Sequence, residues 1–110
     1  MTNRDLAERA VVVAEAPDEG PIGYAALQCD GPGAELTDLF VDPPWIGRGV
    51  GRALWTDAVG RARAAGCSSL DIEADPHAEA WYAGRGAVTI GRVPSGSIAG
   101  RTLPLMRLEL

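Results

Sequence analysis

Glu35-Leu-Thr-Asp-Leu-Phe-Val-Asp-Pro-Pro-Trp-Ile-Gly-Arg-Gly-Val-Gly-Arg-Ala-Leu54 is the stretch from which the rest of the chain is read. Its first part, Leu36 to Val41, is apolar and β-prone, as a buried strand requires. Pro43 and Pro44 have no N–H for a sheet ladder, so the strand is expected to stop before them. Gly47, Gly49 and Gly51 let the backbone curl without Cβ clashes, and good helix formers follow from Val50 onward. A glycine-rich turn that opens a helix gathers N–H groups without acceptors into one concavity. The helix dipole adds positive potential there, so the place suits a phosphate or a pyrophosphate.

Two familiar phosphate-binding turns are excluded by residue type and spacing. The chain contains no lysine, which a nucleoside-triphosphate loop needs after its last glycine. Its glycines fall as G-x-G-x-G, whereas a dinucleotide fingerprint spaces them G-x-G-x-x-G.

Outward from this stretch, the chain reads as one small domain of 110 residues. Asn3 to Arg9 has the makings of one or two helical turns. Ala10 to Glu15, with its Val11-Val12-Val13 run, is a strand, and Pro17-Asp18-Glu19-Gly20 is turn chemistry. Ile22 to Cys29 forms a second strand, antiparallel to the first, and Asp30-Gly31-Pro32-Gly33 turns the chain into the strand Glu35 to Val41. A helix follows from about Gly49 to Ala65, with Val50, Leu54, Ala58, Ala62 and Ala65 at the spacing of a sheet-facing stripe. Gly66 stops it. Ser69 to Glu73 is the next strand, parallel to Glu35–Val41 because a helix joins the two. Asp75 and Pro76 are a good N-cap and first helical residue for a short helix to about Arg85. Ala87 to Val93 and Leu103 to Leu110 are the last strands, and a glycine- and serine-bearing loop, Pro94 to Thr102, lies between them. The order β-β-β-α-β-α-β-β implies an α/β mixed sheet.

Ile46-Gly47-Arg48-Gly49-Val50-Gly51 resembles the acetyl-CoA pyrophosphate loop of the GNAT N-acetyltransferases, Gln/Arg-x-x-Gly-x-Gly/Ala, with Ile46 at the usual Gln/Arg position. Phe40-Val41-Asp42-Pro43 before it, Arg52-Ala53-Leu54 after it, and Ala78-x-x-Trp81-Tyr82-x-x-x-Gly86 further on are also similar to that family. The likeness runs from about Gly20 to the end. It implies a GNAT-like fold that lacks the family's initial strand and two helices, elements that wall the acceptor side.

The resemblance further implies direct transfer of an acetyl group from acetyl-CoA to a primary amine, and no metal. The backbone from Ile46 through Gly47, Arg48, Gly49, Val50 and Gly51 to Arg52 would cradle the pyrophosphate. Leu39, Phe40 and Val41 would pair with the pantetheine arm in a gap between Glu35–Val41 and Ser69–Glu73, where the Leu39 N–H meets the acetyl carbonyl. That N–H is free only if a bulge releases it from the ladder. Tyr82 would protonate the departing sulfur, and Asp75 lies close to the cofactor edge.

Other readings stand beside these. Arg48 and Arg52 are candidate phosphate partners or simply solvated. Tyr82 reads equally as a half-buried aromatic, and Trp81 as core. Glu35 is a candidate base for an amine whose pKa lies near 10, with Asp38 as the alternative. His77, the lone histidine, suits a helix-end surface position. Arg101 is a candidate partner for an acceptor carboxylate. Cys29 and Cys67 have neither metal-ligand spacing nor a nucleophile context, as in a reducing cytoplasm.

Net charge −5 and a pI near 4.7 argue against nucleic acid and anionic membranes as partners, and are compatible with a cationic amine. No apolar run approaches the roughly 20 residues of a membrane span, and no secretory signal is visible. A different class of function is a non-catalytic acyl-CoA-binding module. A third possibility is a half-domain completed by a partner chain, with the edge near Ala10–Glu15 pairing into a homodimer.

Overall fold

The computed structural model describes residues 8–96 and 98–110. Its β1 (Glu8–Ala16), β2 (Gly20–Asp30) and β3 (Gly33–Val41) form an antiparallel meander. A 3-10 turn at Pro43–Trp45 leads to α1 (Val50–Ala64), β4 (Ser69–Glu73), a second 3-10 turn at Pro76–Ala78 and α2 (Glu79–Gly84). The chain closes with β5 (Val88–Pro94) and β6 (Thr102–Glu109). The strands make one six-stranded sheet in the order β1-β2-β3-β4-β6-β5. Among the described residues only β3 and β4 are parallel, as the helix between them demands.

The expected elements therefore form, with two corrections. Glu8 and Arg9 extend β1 and are not helical; the remainder of the Asn3–Arg9 helical expectation lies outside the described residues. Ala65 caps the end of α1 and is exposed, so it does not face the sheet. The buried face of α1 comprises Leu54, Trp55, Ala58, Val59 and Ala62. Trp55 and Val59 widen the stripe beyond the small residues Ala58 and Ala62. No helix among the described residues is long and apolar enough to cross a membrane.

The core lies between one face of the sheet and the helices. Ala25, Leu27, Ala34, Leu36, Leu70, Ile72 and Met106 meet Leu54, Trp55 and Ala58 of α1. Burial alternates along the central strands, so Glu35, Asp38 and Phe40 lie on the opposite face. α2 joins α1 through an aromatic cluster. Ring centroids of Trp55 and Tyr82 are 5.6 Å apart, those of Trp81 and Tyr82 5.1 Å, and those of Trp55 and Trp81 6.2 Å in edge-to-face contact. Such pairs add to the area they bury, at about 0.5–1.5 kcal/mol each.

β3 does not stay with β4. Their pairing runs from Gly33 opposite Ser69 to Leu36 opposite Ile72 and ends there. The next residue, Thr37, is a bulge: Leu36 pairs with Leu27 and Asp38 with Ala26, so Thr37 has no partner of its own on β2. Its hydroxyl donates to Ala26 O at 3.2 Å, which ties the extra residue down. A bulge bends its strand and raises the local twist, and here it turns the second half of β3 away from β4.

Leu70 is fully enclosed in the middle of β4. Leu70→Ala should cost about 2–5 kcal/mol, read as a lower urea midpoint with the m-value unchanged.

Candidate active site

The gap left by β3 and β4 opens into a cleft of about 750 Å³. Leu39, Phe40 and Val41 form one wall, Ile46, Gly47, Gly49, Gly51 and Arg52 a second, and Ala78, Trp81, Tyr82 and Arg85 a third. Three chain segments far apart in sequence thus converge on one hollow, of a size that suits a small ligand.

The hydrogen-bond phase of β3 decides which amides face this hollow. Asp42 N–H donates to Ile22 O at 2.7 Å, and Val41, Phe40 and Leu39 stand opposite Gly23, Tyr24 and Ala25. Bonded and non-bonded pairs alternate in an antiparallel ladder. Phe40 therefore points its N–H and C=O at β2, while Leu39 and Val41 point theirs away, into the space that β4 has vacated. On the same count the bulge at Thr37 makes Leu39 the first outward-facing residue beyond the last β3–β4 pair.

The glycine turn supplies a second set of donors. Ala53 N–H to Gly49 O, at 3.1 Å, is the first bond of α1. The N–H groups of Gly49, Val50, Gly51 and Arg52 precede it and have no acceptor within the helix. Gly49 is the N-cap with φ 88° and offers no side chain to them. Gly47 and Gly49 both adopt positive φ, and a Cβ at either would meet nothing within 4 Å, so the backbone is open to a ligand. An anion fits this end of the helix by geometry and by dipole.

Two amides of the expected cradle are already engaged. Ile46 N–H donates to Pro43 O at 3.2 Å and Arg48 N–H to Trp45 O at 3.3 Å. Tight 3-10-type closure after Pro43 consumes them, so the expected contribution of the Ile46 and Arg48 amides does not hold. The Arg48 guanidinium lies 4.4 Å over the Trp45 ring and pins the turn, and Arg48 is not part of the cleft wall. Arg52 is part of it. Val50 is half-buried against the core and lends only its backbone.

Tyr82 is 7% exposed and lines the cleft. No group among the described residues hydrogen-bonds its hydroxyl. Burial pushes its pKa up to about 12, because the phenolate would lose hydration among the aromatic rings. The phenol is therefore protonated at any physiological pH and acts as a donor. Trp81, expected in the core, is only half-buried and also lines the cleft.

Arg85 was not singled out by sequence reasoning. It follows Trp81 by one helical turn, a spacing that brings the two side chains together, and its guanidinium lies 5.2 Å from the Trp81 ring centre. Its Nε is buried without a hydrogen-bond partner, which makes it a donor in want of an acceptor at the cleft wall.

Glu35 and Asp75 are not in this cleft. Glu35 lies on the opposite face of the sheet, in a smaller hollow of about 310 Å³ with Gln28, Asp30, Asp71 and Glu73. One residue separates it from the end of the β3–β4 pairing, so it stands near the far mouth of the same gap. Asp71 in that hollow is held bidentately by Arg107, at 2.7 and 3.0 Å. Asp38, the alternative base, is exposed on the same far face as Glu35. Asp75 is an N-cap: its carboxylate accepts from His77 N–H at 2.8 Å and lies 3.9 Å from an Arg101 Nη2. Arg101 is thereby drawn to Asp75, and His77 lies outside the cleft wall. No group of three or more His, Cys, Asp or Glu among the described residues is arranged to hold a metal ion.

A family model described as "Acetyltransferase (GNAT) domain" matches residues 1–110. Among solved structures, an acetyltransferase from Bacillus cereus superposes with a TM-score of 0.84 at 18% identity, covering 96% of this chain and 76% of that one. Nourseothricin acetyltransferase reaches a TM-score of 0.84 at 25% identity, over 92% of this chain and 65% of that one. The PaiA N-acetyltransferase of Thermoplasma acidophilum, solved in complex with coenzyme A, gives 0.76 at 18% identity, over 93% and 61%. No curated protein matches the sequence significantly.

The raised phenol pKa has a consequence for stability. A group whose folded pKa exceeds its unfolded value stabilises fully below the unfolded value and ceases to do so as pH passes the folded one. Stability should thus fall between pH 10 and about 12 as Tyr82 is forced to ionise. Tyr82→Phe should flatten that part of the curve, checked by chemical denaturation at a series of alkaline pH values.

Proposed function

The chain belongs to the GNAT acetyltransferase family, and from that premise we propose that it transfers an acetyl group from acetyl-CoA to a primary amine. Acyl transfer in general follows from the family. The observation that supports the specific reading is the meeting of two donor sets in one cleft: the outward N–H of Leu39, and the uncapped amides of Gly49 to Arg52.

Acetyl-CoA supplies an activated acyl carbonyl and carries its own diphosphate handle. The amides of Gly49, Val50, Gly51 and Arg52 would hold the diphosphate, with the Arg52 side chain adding charge. Arg85 would satisfy its buried Nε on an acceptor of the same ligand. The backbone of Leu39 and Val41 would pair with the amide-bearing arm as a further strand, in the place that β4 leaves empty. The Leu39 N–H would donate to the thioester carbonyl oxygen as negative charge builds there.

An acceptor amine would then enter from the other face of the sheet, past Glu35. A positively charged amine is drawn to that acidic hollow, and it must lose a proton before it can attack. Glu35, next to the end of the β3–β4 pairing, would receive it. Tyr82 would donate a hydrogen bond to the departing sulfur. Its high pKa disfavours complete proton transfer to a thiolate of ordinary pKa near 8.5, so stabilisation by the donor hydrogen bond is its main contribution. A small-molecule or peptide amine and a cytoplasmic setting belong to the same proposal.

A second reading, an acyl-CoA-binding module without transfer, is favoured by one observation: no carboxylate or imidazole lines the main cleft. Calorimetry with CoA, alongside turnover against a panel of amines, separates the two. Binding without transfer to any amine would support the module.

Gly51→Asp sets a carboxylate at the helix start. A Cβ there meets Trp81 and Val41 at an ordinary 3.6 Å, so the fold should persist. Thermal stability should hold or rise slightly, because an acid is favourable at a helix N-terminus. CoA affinity should fall by on the order of tenfold or more, since the added charge opposes the diphosphate. Unchanged affinity would remove the diphosphate from this site.

Tyr82→Phe and Glu35→Gln should each lower kcat by about tenfold to a hundredfold, with CoA affinity within about twofold of the parent. Parallel loss of CoA binding in either variant would argue against its assigned role.

A further inference from the structure

Arg85 closes α2 as its C-cap and lines the main cleft. Its guanidinium carbon lies 5.2 Å from the centre of the Trp81 ring. Trp81 in turn leans on the start of α1, where a Cβ at Gly51 would lie 3.6 Å from its Cζ2 atom. The indole therefore connects Arg85 to the first turn of α1, the turn that carries the unpaired amides. Arg52 belongs to that turn and lines the same cleft. Two arginines from two different helices thus meet in one hollow beside one helix N-terminus.

Neither of them is neutralised from within the fold. No acidic residue among the described ones lines the cleft. The ion pairs among the described residues are those of Arg61, Arg101 and Arg107, and they do not involve Arg52 or Arg85. Arg85 also has a buried Nε without a hydrogen-bond partner. The edge that bears Nε is one with which a guanidinium grips a phosphate, because Nε–H and an Nη–H run side by side there. A covered donor without an acceptor is unfavourable, so the side chain gains by turning that edge to an anion.

The charge of the carrier shows which anion is left for it. In the acetyl-CoA reading, the amides of Gly49 to Arg52 meet the oxygens of the diphosphate, and the helix dipole and the Arg52 side chain meet its charge. Arg85 has no share in that. CoA bears one further phosphate, a monoester on its ribose, with about −1.5 to −2 charges at pH 7 and three acceptor oxygens. Depth in the cleft agrees with this division. The carrier enters thiol first, and Tyr82, assigned to the sulfur, is 7% exposed. Arg85 is only half-buried and stands at the end of its helix, on the side where the nucleotide tail remains.

We propose that Arg85 holds the ribose 3′-phosphate of the carrier and makes the site selective for CoA over 3′-dephospho-CoA. The inference rests on the acetyl-CoA reading and adds to it a residue that determines specificity. Arg52 reads the diphosphate, which both forms of the carrier possess. Arg85 reads the monoester, which only one of them has. Stacking on Trp81 keeps the guanidinium at the cleft wall, within reach of that group.

Calorimetry of the full chain with CoA and with 3′-dephospho-CoA tests this. The parent should bind CoA more tightly, by on the order of tenfold. Arg85→Gln should remove most of that preference. It should weaken CoA by on the order of tenfold and leave 3′-dephospho-CoA within about twofold of the parent. Arg85→Lys keeps the charge without the paired donors and should retain only part of the preference. Arg52→Gln should weaken both ligands by a similar factor. Retained binding of 3′-dephospho-CoA shows that the Arg85 variants are folded. A parent that binds the two forms alike overturns the assignment and leaves the transfer reading standing. So does an Arg85→Gln variant that keeps the preference, or one that weakens both forms equally and so places Arg85 on the diphosphate. A parent that binds neither form removes the acetyl-CoA reading itself, and this inference with it.

Discussion

Every feature of the site depends on the separation of two parallel strands. β3 and β4 share only four paired positions, Gly33 to Leu36 against Ser69 to Ile72. Thr37 then inserts one residue that β2 cannot match, and the strand bends. A sheet that splits in its middle exposes backbone groups in the most buried part of a small domain, which is costly unless something else takes the bonds. The cost is limited here because the gap is open to solvent and because the Thr37 hydroxyl anchors the bulge on Ala26 O. The released Leu39 and Val41 groups face the cleft rather than the closed core.

The second half of the site follows from packing on one face of the sheet. α1 packs chiefly over β2 and β3, and its N-terminus lines the same hollow as Leu39, so its free amides open on that hollow. Trp55 links that helix to α2 through Tyr82 and Trp81. The cluster therefore has two tasks. It closes the core beneath the helices, and it fixes a phenol and an arginine on the third wall of the cleft. The same burial that positions Tyr82 raises its pKa to about 12 and confines it to donating.

The two faces of the split sheet have opposite character. On the helix side the cleft is lined by backbone donors, Arg52 and Arg85, without an acid. On the other side the hollow holds Glu35, Asp71 and Glu73, with Asp71 neutralised by Arg107. An anionic ligand and a cationic one are thus sorted to opposite ends of one gap. The overall charge of −5 obscures this arrangement, because it counts both faces together.

Local chemistry by itself determined much of this protein. Pro43 and Pro44 end β3, Gly47 and Gly49 supply the positive φ that the turn requires, and Asp75 caps the chain before Pro76; each effect acts within a few residues. The periodicity of α1 and of the strands was legible for the same reason. What only the tertiary structure decided depends on partners distant in the chain. The bulge at Thr37 exists only relative to β2, since nothing in Leu-Thr-Asp marks one residue as surplus. β6 enters between β4 and β5 because of pairings more than thirty residues apart, such as Asp71 with Arg107. The loss of the Ile46 and Arg48 amides, the orphaned Nε of Arg85 and the placement of Glu35 behind the sheet are likewise set by three-dimensional packing, which residue types in order do not encode.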